Sequence, residues 1–261
     1  MAPILTTHDL ARTFETKRGT VEAVRGIDMT VEPGEILGFL GPNGAGKSTT
    51  LRMLTTLLPP TRGTATVAGH DLAREPALVR QRIGYVAQSS GVDPSETVRN
   101  ELMLQGRLYR LSKAEAATRI EALAADLDLT ELLERKCAEL SGGQKRRLDI
   151  ALALTHRPEI VFLDEPTTGL DPGSRADLWD LIRRVRSEHG TTVFLTTHYL
   201  DEADALSDRL IIVDDGRVVA EGPPEELKTR HGGSPDATLQ DTFIAITGRG
   251  PKKDDLAPVA L

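Results

Sequence analysis

Nine consecutive residues constrain this chain more than any others: Gly41-Pro42-Asn43-Gly44-Ala45-Gly46-Lys47-Ser48-Thr49. Glycine, four residues, then Gly-Lys-Ser/Thr is the pattern of a loop that cradles phosphate. The apolar run Glu35-Ile36-Leu37-Gly38-Phe39-Leu40 leads into it and reads as a short buried strand. Behind it, Ser48 to Leu58 carries Leu51, Leu54 and Leu58 at helical spacing. Strand, glycine loop and helix is the context that gives the pattern its chemistry. The glycines let successive backbone N–H groups turn toward one anion. The following helix adds unpaired N–H groups and the positive end of its dipole. Lys47 offers a point charge to phosphate oxygens, and Ser48 a hydroxyl to Mg²⁺.

Composition narrows what such a chain can do. A formal net charge of −7 argues against a partner bound through a nucleic-acid backbone. The single cysteine, Cys137, excludes an internal disulfide and fits a reducing compartment. No apolar window approaches the roughly 18 residues of a membrane span, and the start Met1-Ala2-Pro3-Ile4 has no leader pattern. A cytoplasmic protein is expected, and any work at a membrane would need another chain to span it.

Along the chain, strands alternate with helices. Ile4–Leu10, Val21–Val24 and Ile27–Val31 alternate apolar and polar residues and predict a small antiparallel sheet, with Lys17-Arg18-Gly19 as a turn. Phe14 falls between the first two strands, where a lone aromatic is usually a packing residue. Thr64–Gly69 and Ile83–Gln88 read as strands around a polar helix from Pro76 to Arg82. Ser95 to Leu140 is helical in pattern, and Ser112 with Glu115 makes a capping box for a helix to about Asp128. Leu140-Ser141-Gly142-Gly143-Gln144 opens a further helix. Ile160–Leu163 and Thr191–Thr196 are continuous apolar or β-branched runs, the mark of parallel strands covered on both faces. Ser174 to Arg186 is an amphipathic helix, and Asp215-Gly216 is a hairpin turn between two final strands. The expected fold is α/β, with a mostly parallel sheet, an N-terminal antiparallel sheet and an inserted all-helical unit. Beyond Gly222 come a proline-started helix, a linker Gly232-Gly233-Ser234-Pro235, a short apolar segment and a polar end that reads as disordered.

The chemistry-bearing residues fall at strand ends. Asp164 closes a buried strand, where an open α/β sheet binds its ligand, and a carboxylate there suits Mg²⁺ shared with Ser48. Glu165 follows directly and points elsewhere, toward an attacking water. Gln88 and His198 each end a predicted strand too. Alone, each is more often a hydrogen-bonded packing residue. If their strands neighbour that of Asp164, all line one rim. Ser141-Gly142-Gly143 repeats the exposed backbone and helix start of the phosphate loop, though a helix-capping turn explains it as well. Lys145-Arg146-Arg147 reads as a solvated helix face with one or two phosphate-facing side chains.

Together, the phosphate loop, Gln88, Leu140–Gln144, Ile160-Val161-Phe162-Leu163-Asp164-Glu165-Pro166, Gly169-Leu170-Asp171-Pro172 and His198 resemble the nucleotide-binding domain of ATP-binding cassette (ABC) transporters. They occur in that family's order. Met53–Leu58, Val67–Asp71, Thr196–Leu200 and Leu239–Phe243 are similar to the drug-export branch typified by daunorubicin/doxorubicin-resistance ATPases. The resemblance implies ATP and Mg²⁺ as ligands and a Mg-dependent ATPase that drives export of a drug or other hydrophobic compound. Phe14 would stack on adenine. Residues 41–49 would hold the phosphates, and Ser48, Gln88 and Asp164 the metal. Glu165 would polarise water, with His198 and Gln88 beside the γ-phosphate. Ser141, Gly142, Gly143, Gln144 and Asp171 would close on nucleotide held by a second copy of the chain, making a two-site homodimer. A separate transmembrane permease would be the other partner, placing the chain on the cytoplasmic face of the membrane. A soluble ABC-type ATPase uncoupled from transport is the alternative.

The resemblance implies a nucleotide-binding domain over residues 1–222, with a helical subdomain at about 89–155, and an extension over 223–261. The segment Ser89–Tyr109 is the expected docking surface, the alternative being that its apolar residues simply fill the helical unit. It begins beside Gln88, and its Val98, Leu102, Leu104 and Leu108 exceed one helix face. Arg99 is expected there as an exposed charge.

Overall fold

Apolar strands without a polar break need cover on both faces, and the rest of the chain supplies it. The computed structural model describes residues 2–17, 19–234 and 236–248. A four-stranded antiparallel sheet is formed by β1 (Leu5–Thr16), β2 (Gly19–Val31), β4 (Arg62–Val67) and β5 (His70–Asp71), in the order β2-β1-β4-β5. A six-stranded sheet holds β3 (Ile36–Leu40), β6 (Ile83–Val86), β7 (Ile160–Asp164), β8 (Thr192–Thr197), β9 (Arg209–Asp214) and β10 (Arg217–Gly222), in the order β10-β9-β3-β8-β7-β6. All its pairings are parallel except the β9–β10 hairpin, whose turn residues Asp215 and Gly216 both have positive φ. Every residue of β3, β7 and β8 is buried. Phe39, Phe162 and Phe194 meet across them with ring centroids 5.4 Å apart. The expected fold class is the one observed.

The helices are α1 (Lys47–Leu54), α2 (Pro76–Arg82), α3 (Val98–Leu108), α4 (Lys113–Asp126), α5 (Gly142–Leu154), α6 (Pro172–His189), α7 (Leu200–Leu206), α8 (Pro224–His231) and α9 (Leu239–Thr247). Ser112 and Glu115 form the expected capping box at the start of α4, and Ser141 with Gln144 forms another at α5. Side chains of α3, α4, α5 and α6 join the sheet in one core cluster, while α1 lies in a second cluster that bridges the two sheets. Among the described residues no helix is long and apolar enough to cross a membrane.

β1 runs on to Thr16, so Phe14 lies inside it rather than between strands, and three further boundaries differ from the sequence expectation. β2 is one strand rather than two, because Gly26 takes a left-handed φ of 92° and absorbs a register shift between the Leu10–Ile27 and Ala11–Arg25 pairs. α1 stops at Leu54, four residues early, where Thr56 adopts positive φ and the chain turns. β6 stops at Val86, so Gln88 lies on the loop beyond it. Arg18 of the expected turn, Pro235 of the linker and the polar end lie outside the described residues.

A close approach between layers occurs at Gly84, where a Cβ would come within 2.6 Å of the Ala153 carbonyl oxygen of α5. Gly84→Ala should therefore push α5 from β6 and lower stability by about 1–3 kcal/mol. Gly91→Ala, with open space around it, should leave the denaturation midpoint unchanged. Urea unfolding of both variants checks the contrast.

Candidate active site

Residues 41–49 bridge β3 and α1, and the loop's shape follows from its glycines. Gly44 and Gly46 have φ of 84° and 97°, and a Cβ on Gly46 would strike the Ala23 carbonyl oxygen at 2.5 Å. α1 begins without a side-chain cap and without an acidic residue in its first turn. Its leading N–H groups and its dipole therefore face an anion unopposed. The Lys47 ammonium is folded over the loop, donating to the carbonyls of Gly41 at 2.8 Å and Pro42 at 3.2 Å, and it is only 4% exposed.

The parallel register places the strand-end residues together. Asp164 of β7 is level with Thr196 of β8, whose hydroxyl donates to Asp164 Oδ1 at 2.7 Å. The Ser48 hydroxyl donates to the same oxygen at 3.2 Å. Hydroxyl plus carboxylate is a hard-oxygen donor set, suited to Mg²⁺. Glu165 turns off the strand with a φ of 46°, unusual for a residue with a side chain, and its N–H is held by both the carbonyl and the hydroxyl of Thr196 at 3.1 Å. This twist sends the Glu165 carboxylate away from Asp164 and into a ring of donors. Lys47 Nζ lies 3.3 Å from it, His198 Nδ1 3.2 Å, and the Gln88 amide donates at 3.2 Å. Burial pushes the Glu165 carboxyl up, but His198 and Lys47 outweigh it and hold the group below its ordinary value. The side chain is thus an anion in a sheltered pocket, with one face toward the phosphate loop.

Gln88, Asp164 and His198 do share one rim, because β6, β7 and β8 are parallel neighbours. Ser141, Gly142, Gly143 and Gln144 form a second group with Asp171. The Ser141 hydroxyl caps Gln144, positions 142 and 143 lie against Leu170 and Ser174, and Asp171 caps α6 through Ser174. Phe14 lies within β1, paired to Val21, with the Arg12 guanidinium 4.7 Å from its ring.

Three residues were misjudged or missed by the sequence. Arg146 is neither solvated nor phosphate-facing. It is 6% exposed and donates to the carbonyls of Ala87, Asp164 and Pro166. Arg147 faces Asp128 and Asp177 instead of phosphate. The signal was available, since position 146 shares a helix face with Ile150, Ala153 and Leu154. Thr196 was read as part of a buried strand and of the stretch resembling the drug-export branch, and nothing in its own segment announces that its hydroxyl serves Asp164. Thr196→Val keeps the shape and removes that hydroxyl from a buried carboxylate, so it should cost about 1–3 kcal/mol of stability. Thermal denaturation of the variant against the wild type measures it.

Comparison with known proteins adds three findings. A family model described as ABC transporter matches residues 24–168. The daunorubicin/doxorubicin resistance ATP-binding protein DrrA of Streptomyces peucetius is 50% identical over 210 residues, covering 80% of this chain and 63% of that protein. This chain thus spans less than two thirds of that relative's length. Among solved structures, a dimeric ATP-binding cassette in a post-hydrolysis state with ADP and Pi aligns at a TM-score of 0.75 and 28% identity, covering 84% of this chain and 98% of its own. The cbiO1 protein of Clostridium perfringens, part of the ABC transporter complex cbiONQ, aligns at 0.78 and 29% identity, covering 88% of this chain and 92% of its own.

Proposed function

The chain belongs to the ABC transporter family, and on that footing we propose that it is the ATP-hydrolysing subunit of an exporter, driving a separate membrane-spanning chain. The observation that carries this reading is the convergence of Lys47, Gln88 and His198 on the Glu165 carboxylate, next to Asp164 and Ser48. The N–H groups of residues 44–49 and the Lys47 ammonium bind the β- and γ-phosphates, and Phe14 offers its ring face to adenine. Ser48, Asp164 and Gln88 would hold Mg²⁺, which when bound would supply positive charge to the phosphate oxygens. Glu165 orients water and accepts its proton, while His198 fixes the carboxylate and reaches toward the γ-phosphate. The group formed by Ser141–Gln144 and Asp171 stands apart on the chain, so it serves a nucleotide held by a second copy. A two-fold dimer then has two equivalent sites.

The resistance protein's name supports a drug-like, hydrophobic cargo, and the cbiO1 complex supports a position on the cytoplasmic face of a membrane, held there by a permease. A groove of about 290 Å³ between α3, α5 and the segment after β6 receives that permease's cytoplasmic segment. Tyr85, Ser89, Val92, Leu104 and Leu152 line it. Gln88, one residue before Ser89, connects the groove to Glu165. Of the four apolar residues expected there, Val98 and Leu102 are fully buried, whereas Leu104 and Leu108 are 53% and 68% exposed. Arg99 is not a free surface charge, because it pairs with Glu121 at 2.7 Å and Glu134 at 2.6 Å.

Glu165→Gln should keep nucleotide binding, lower turnover by about 10²–10⁴-fold and trap an ATP-bound dimer. Steady-state hydrolysis with size-exclusion chromatography in Mg-ATP tests this, and a monomer with wild-type turnover overturns it. Lys47→Ala should lose nucleotide binding itself, which a titration with labelled ATP reads. Chelation of Mg²⁺ with EDTA should stop hydrolysis in the wild type.

Leu104→Glu should leave basal ATPase intact while abolishing copurification with the permease and drug export. Loss of basal activity and solubility together would mean that Leu104 serves only the fold.

A further inference from the structure

Arg146 has a set of partners that packing alone does not require. Its guanidinium is buried on α5, and its three nitrogens donate to carbonyls on two separate segments. Ala87 is the residue immediately before Gln88. Asp164 and Pro166 are the residues on either side of Glu165. The distances from Nε to Pro166 O and from Nη2 to Asp164 O are 2.8 and 3.0 Å. A planar fork with five N–H donors can serve three carbonyls at once, whereas a lysine ammonium on its flexible stem cannot reproduce that geometry. On its own helix, Asp149 Oδ2 lies 3.8 Å from Nη1, and Ser90 donates to Asp149 Oδ1 at 2.7 Å. The charge is thus neutralised by a residue that also holds the segment after Gln88.

We infer that Arg146 is a positioning residue for ATP hydrolysis, fixing the backbone beneath Gln88 and Glu165 to the helix that begins at Ser141. The inference rests on the ATPase reading above and deepens it. Glu165 gains from such support because its left-handed φ of 46° is otherwise held at the backbone by Thr196 on its N–H and by the Thr168 N–H on its carbonyl. Arg146 lies five positions beyond Ser141, the N-cap of α5. A displacement of the Ser141 end by a second copy's nucleotide is therefore carried by a rigid helix to both segments at once. Arg146 touches no substrate. It acts through the two side chains whose backbone it holds.

The test uses the full chain, with Arg146→Lys and Arg146→Gln each made alone and in a Glu165→Gln background. Misplacement of a water-orienting group by about 1 Å costs about 10²-fold, so kcat should fall by about that factor in both single variants while KM for ATP stays within about twofold. In the Glu165→Gln background the same substitutions should lower the residual rate by much less than that factor, because one of the two side chains through which Arg146 acts is already disabled. A role confined to stability would instead scale the residual rate down by the same factor in both backgrounds. Unchanged kcat in Arg146→Lys, or full multiplication of the two losses, overturns the inference. So does failure of both variants to fold, judged by ATP titration and urea denaturation. A wild-type chain without ATPase activity would overturn the underlying reading rather than this one.

Discussion

A buried ammonium is the constraint on which this structure turns. Lys47 is 4% exposed, and a charge removed from water must find acceptors or the fold does not close around it. Its acceptors are the Gly41 and Pro42 carbonyls and the Glu165 carboxylate. The first two are local, supplied by the loop that Lys47 itself ends. The third lies 118 positions away and arrives only when β7 has paired with β8 and β8 with β3. Closing the sheet and completing the charge cluster are therefore one event. The same pairing satisfies the anion, since Glu165 buried without Lys47 and His198 would be driven toward its neutral form.

Around that pair, the structure separates two carboxylates that are adjacent in the chain. Asp164 finishes β7 in extended backbone and takes hydroxyl donors from Ser48 and Thr196. Glu165 leaves in a left-handed turn and takes Lys47, His198 and Gln88. One backbone twist gives two neighbouring acids different surroundings, one suited to a cation and one to a proton. Thr196 serves both, through its hydroxyl to Asp164 and its carbonyl and hydroxyl to the Glu165 N–H.

The helical elements reach this centre through few contacts. α5 carries Arg146 under the two segments and places the Ser141 capping box at its own far end, against the start of α6. α3 divides its apolar residues between the core and an open groove that ends beside Gln88. Farther along, Glu202 of α7 is fully buried, accepts from the Trp179 indole at 3.3 Å, and has its carboxyl pushed up by burial. It anchors the helix that follows His198 to α6.

The sequence by itself determined the local features. Residues 41–49, the unbroken apolar strands, the Ser112–Glu115 box and the Asp215-Gly216 turn are each specified by neighbours within a few positions, so periodicity and turn chemistry reveal them. It placed Gln88, Asp164, Glu165 and His198 at or just past strand ends for the same reason. It also gave the α/β class, since strands covered on both faces announce themselves in composition. Strand order is another matter. That β8 lies between β3 and β7 depends on which long-range pairings bury most surface, and so does the meeting of Thr196 with Asp164. Gly26 looked like a break between two strands because its left-handed backbone can end a strand or bulge one, and only its partner opposite decides. Arg146 read as solvated because charge predicts exposure unless acceptors are waiting inside. Those acceptors are backbone carbonyls freed where β6 and β7 end, which exist as a cluster only in the folded chain.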